Sequence, residues 1–153
     1  MAAFPPTEWE TPGAAGEWSA RDVIGHLAAF ELLLVEVLEE LRGHEGPSPP
    51  LDEYRELGPE AFNDEEAAKR ARTPAAALVA EYEQANARVM ELARLLPPEG
   101  FVLRGTLPWY GAEYSLDDFI TYGYYGHKRE HGAQLASFVD VLARRRSEPV
   151  AVR

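Results

Sequence analysis

Two histidines four residues apart, His127 and His131, stand in the stretch Tyr122-Gly-Tyr-Tyr-Gly-His127-Lys-Arg-Glu-His131-Gly-Ala-Gln134. On a helix, side chains at that spacing leave one face with their Cβ atoms about 6 Å apart. Such a pair suits one first-row metal, with bonds of roughly 2.0–2.1 Å if the ion is zinc. An HxxxH pair alone is weak evidence, because two helical histidines need never meet a metal. A third ligand decides the matter, and His26 is the candidate. It lies on or beside the apolar stripe Val23, Leu27, Phe30 and Leu34, where a lone histidine is ordinarily a core residue with its nitrogens satisfied. A bundle that sets the first histidine helix against the last would bring His26 opposite the pair. Three histidines with open positions are the arrangement of catalytic zinc, and imidazole accepts nickel, iron or manganese as well. His44 has no apolar face behind it and is expected in solvent.

Glu130 completes the string HxxEH, the pattern of inverted zinc proteases. Those enzymes take a further glutamate ligand far downstream, and only 22 residues follow His131, so a protease is not expected. Glu130 remains open as a general base or as half of a surface salt bridge, since its step from His131 turns it partly off the ligand face.

The elements that must carry these residues are helical. From Ser19 to Arg42, apolar residues recur at steps of three and four up to a stop at Gly43, with Asp22 placed to serve the positive helix end. Thr73-Pro74 starts a second helix that Pro97-Pro98 ends. Ser115-Leu-Asp-Asp118 opens the last one. Its interior holds Gly123, Gly126 and Gly132, each costing roughly 1 kcal/mol relative to alanine, an expense that close packing or open space over a site would explain. The expectation is an all-α helical bundle with three long helices, about 19–42, 74–96 and 115–145, in one domain spanning 1–153. Residues 1–17 carry too many prolines and glycines for a long helix and form an irregular N-terminal segment in which Trp9, with Trp18 just beyond it, pins the chain to the core. A Pro- and acid-rich crossover at 44–72 holds at most a short helix near 59–71, and its length lets the helices it joins run parallel. Trp109 and Tyr110 occupy a Pro/Gly loop that either roofs a pocket or covers the core.

Composition narrows the functions. A chain of 153 residues with 46% apolar residues buries a real core, and with no cysteine it has neither disulfides nor thiolate ligands. A formal charge of −11 argues against nucleic acid, the run Arg144-Arg-Arg146 complementing a helix C-terminus instead. The absence of an apolar run of ~18 residues argues against a membrane span. With no visible signal peptide, a cytoplasmic location is expected.

Two segments carry a family resemblance. Glu17-Trp18-Ser19-Ala-Arg21-Asp22-Val-Ile-Gly-His26-Leu27 is similar to a W-S-x-R-D-x-x-x-H-L element, and His127-Lys-Arg-Glu-His131-Gly-Ala-Gln134 to a final-helix H-x-x-x-H-x-x-Q element. Their order and separation resemble the DinB/YfiT-like four-helix-bundle metalloproteins, from Trp18 to Ala143. The resemblance implies an up-down-down-up bundle with His26, His127 and His131 as the ligands of a divalent metal ion, zinc or nickel. It also implies relatives that are thiol-dependent transferases and isomerases, metal-dependent hydrolases, or proteins without established activity. The departure is at the front, where such relatives have a complete helix that residues 1–17 cannot form. A late start, another segment or a second subunit, hence a homodimer, would cover the gap. The leading expectation is therefore a metal-dependent enzyme activating water or a thiol in a small-molecule pocket near Trp109, Tyr110, Tyr122 and Tyr125, with Glu130 as proton acceptor. The alternative is a non-catalytic, stress-associated bundle that binds or sequesters a small molecule and keeps the metal as a structural site.

Overall fold

The computed structural model describes residues 4–147, and the chain is all-α apart from one small hairpin. After a 3-10 turn at Pro6–Glu8, strands β1 (Pro12–Ala15) and β2 (Trp18–Ser19) pair antiparallel. The helices are α1 (Ala20–Leu41), α2 (Pro49–Arg70), α3 (Ala75–Leu95), α4 (Pro98–Val102), α5 (Leu116–Ile120) and α6 (Gly126–Ser147), with a π-turn at Thr121–Tyr125 joining the last two. Among the described residues, no helix is long and apolar enough to cross a membrane.

Helix α1 is the axis of the molecule. Ser19 and Asp22 form a full capping box, each side chain satisfying the other's backbone N–H. The far end closes at Gly43, whose φ of +85° suits a residue without Cβ. There the N–H groups of Gly43 and His44 bond the carbonyls of Glu40 and Glu39 at 2.9 and 3.1 Å, the pattern that satisfies a helix's last acceptors. Thirteen residues of α1 are buried, because α3 packs along one side of it and α2 along another. One apolar cluster gathers Leu33, Leu34, Val37 and Leu38 of α1 around Phe62, Leu92, Leu116 and Phe119. A second joins Val23, Ile24 and Leu27 to Ala14, Leu78, Phe138 and Leu142. His26 lies near their junction on α1.

The crossover departs from the sequence expectation. It is helical over all of Pro49–Arg70, not merely near its end, so a fourth long helix stands where a connection was expected. Pro49 and Pro50 fall in the first turn, where a missing N–H breaks no helical bond. Gly58, at φ +77° and ψ 171°, kinks the helix and lets Pro59 begin a second straight half. That kink turns Glu60 and Asn63 toward the histidines of α1 and α6. The N-terminal segment, expected to be irregular, holds the 3-10 turn and strand β1, with Phe4 and Trp9 packed against the second apolar cluster.

Candidate metal centre

Helix α1 supplies His26, packed between the rings of Trp18 and Phe30 at centroid distances of 5.1 and 4.8 Å. His127 and His131 sit on successive turns of α6. The three rings converge edge to face, with centroids 4.6 to 5.2 Å apart. Their Nε2 atoms meet: His26 to His127 at 2.7 Å, and His127 to His131 at 3.0 Å. One ligand atom from each histidine lies within 4.8 Å of the others, an arrangement able to hold a metal ion. His26 is buried and the other two rings are half-buried.

The protons on these rings test the fit. His131 Nδ1 faces Gln134 Oε1 at 2.8 Å, and an amide oxygen can only accept, so the proton of His131 sits on Nδ1. His127 turns its Nε2 to both neighbours, so the bare Nε2 of His131 lies 3.0 Å from it and the Nε2 of His26 lies 2.7 Å from it. Three ring nitrogens brought this close can offer their lone pairs to a single cation. Burial, with the neighbouring imidazoles adding to it, holds the His26 pKa down to about 4, and burial followed by the charge of His131 lowers that of His127. The donor set therefore fits a metal cation.

A cleft of about 560 Å³ opens in front of His26 and His127, walled by Tyr54, Glu60 and Asn63 on one side and by Tyr122 and Glu130 on the other. Tyr54 and Pro59 also line an adjoining cavity of about 290 Å³ with Trp109 and Tyr110. Four of the expected pocket and proton-transfer residues are thus at the cleft or next to it. Glu130 stands at its exposed edge, 3.4 Å from Gln134 Nε2. Tyr125 does not line it. That ring is exposed beneath the Arg129 guanidinium, because one helical step from the buried Tyr124 turns it outward.

Other groups at the centre were not anticipated. Trp18 stacks on His131 at 6.4 Å and 17°, beyond its expected part in pinning the chain to the core. Gln134 was legible as the residue one turn beyond His131, whereas Tyr54, Glu60 and Asn63 sit on a helix the sequence disguised. Gly123, which lines the cleft, belongs to the π-turn, where the Gly126 N–H bonds Thr121 instead of Tyr122. Such turns recur at functional sites because they offset the hydrogen-bond ladder.

Residues 1–114 match the family model of the mycothiol maleylpyruvate isomerase N-terminal domain. The matched span includes His26 and Asn63 and stops short of the π-turn, so the part played by His127 and His131 rests on the geometry above. No curated protein and no solved structure matches the chain.

Proposed function

Since the chain belongs to the mycothiol maleylpyruvate isomerase N-terminal domain family, within the DinB-like helical bundles, we propose that it is a metal-dependent enzyme that activates a thiol for attack on a small electrophile. The observation that carries this reading is the convergence of three imidazole Nε2 atoms at the head of an open cleft. His26, His127 and His131 would hold the ion, zinc or nickel by the preference of imidazole ligands. Bound there, the metal would supply Lewis acidity, favouring the deprotonated form of a thiol or of water.

The chain's own residues do the rest. Trp18 and Phe30 close the side of His26 away from solvent and fix its ring. Glu130, exposed at the cleft edge, is placed to take a proton from an incoming thiol and pass it to water. The cleft and its aromatic neighbour lie within the volume range of small-molecule sites, with room for a thiol and an electrophile side by side. The cleft lining includes the carboxylates of Glu60 and Glu130, and Arg55 lines the adjoining aromatic cavity. Hydrolysis is the second reading, favoured by the same Glu130 position, because it needs only activated water and a proton acceptor.

The test is metal analysis of the purified protein, then turnover of electrophiles with low-molecular-weight thiols and of an ester panel. The expected result is near-stoichiometric zinc or nickel and thiol-dependent turnover, both lost in His131→Ala. Stoichiometric retention of a ligand without turnover would overturn the enzyme and favour a binding or sequestering bundle.

A further inference from the structure

One of the three imidazoles has its outward nitrogen anchored, that of His131 by Gln134. His26 looks unlike it. Its Nε2 faces His127, and its Nδ1 is wholly buried with no hydrogen-bond partner. Buried polar atoms are rarely left so, and each exception asks for an explanation. A second exception lies nearby: Oδ1 of Asn63, on the straight second half of α2, is also wholly buried and unpartnered. His26 and Asn63 line the same cleft, which brings a ring nitrogen in need of a partner and an amide oxygen in need of a donor to one place.

We propose that Asn63 is the positioning residue for His26: its Oδ1 accepts the Nδ1–H, fixing the tautomer that turns a bare Nε2 to the metal. Both orphaned atoms are satisfied by this one bond. The alternative tautomer, with the proton on Nε2 donated to His127, leaves Nδ1 and Oδ1 buried as two opposed acceptors, each bearing the cost of desolvation. His26 and His131 are then each oriented by an outer amide oxygen, one from a side chain of α2 and one from a side chain one turn along α6. The consequence is that α2, which supplies no ligand, sets the affinity of the site.

This inference rests on the reading of the cluster as a metal site, and its test separates the two. Zinc affinity is measured by chelator competition on the full chain, and the protonated nitrogen of His26 by ¹⁵N NMR on the metal-free protein. Asn63→Leu keeps the volume and removes the acceptor, and should weaken zinc binding by about 10–100-fold, the usual cost of losing such a partner. Asn63→Asp keeps an acceptor and should bind zinc at least as tightly as the wild type. Metal-free wild type should carry the His26 proton on Nδ1. Protonation at Nε2 in the wild type overturns the proposal. So does a zinc affinity for Asn63→Leu within roughly twofold of wild type, well inside that expected loss. Should the wild type bind neither zinc nor nickel, the metal reading falls. The tautomer measurement then still decides on Asn63, and needs no variant that folds.

Discussion

His26 is held neutral by the fold, and that has a cost in acid. In the unfolded chain it takes up a proton near its ordinary pKa of 6.5, whereas the folded, metal-free protein resists protonation until about 4, chiefly because the ring is buried. The depressed value means that the unfolded state binds more protons across this interval. Stability is therefore whole above pH 6.5 and declines as the pH falls toward 4. Thermal melts of the metal-free protein should show that decline, and His26→Phe should flatten it across the same window. At this scale much of the site was legible. The spacing of His127 and His131, and the place of His26 on an apolar stripe, follow from helical periodicity alone. Asn63 did not, because its meaning depends on a partner 37 positions away, on a helix whose orientation local sequence does not specify.

The helices that begin with Ser19 and Ser115 announced themselves through their caps, and both boxes are complete in the structure. Helix α2 was hidden by residues that usually break helices. Its prolines fall at the starts of its two straight halves, and Gly58 sits between them, so each breaker marks a boundary that the fold uses. Gly58→Ala should show what the kink demands. Nothing lies within 4 Å of an added Cβ, so any loss comes from the backbone conformation alone. A conformation nearly exclusive to glycine costs an alanine about 1–3 kcal/mol, a fall of several degrees in Tm by thermal melt. Gly132→Ala should do the reverse. That residue is in regular helix with open space around it, and the gain should approach ~1 kcal/mol. The glycine expense noted in the sequence thus has no close packing to explain it at this position.

For the molecule as a whole, the weak joint is between α6 and the rest. Phe138 and Leu142 are its only buried residues among those described, so apolar contact alone holds it loosely. Glu31 of α1 compensates. It is fully buried, accepts from Asn86 Nδ2 at 2.9 Å and pairs with Lys128 next to His127. Lys128→Met would strand a buried carboxylate, and should cost about 3 kcal/mol by denaturant titration. The estimate is at the low end because the lysine is 28% exposed. Adding Glu31→Leu should restore most of the loss, since the pair is more costly to break than to replace. One ion pair and three imidazoles thus fasten the same helix to α1, and an ion held among the rings would add to that joint. The π-turn before α6 fixes the phase of this attachment. Each helical residue advances about 100° around the axis. Were Thr121–Tyr125 wound as ordinary α-helix with no residue removed, the downstream side chains would swing by about that angle, whereas deleting one residue there would close the wide turn and leave them near where they are. The helix would survive the first change with its histidine pair facing elsewhere: here coordination is a matter of angular timing, kept by one wide turn.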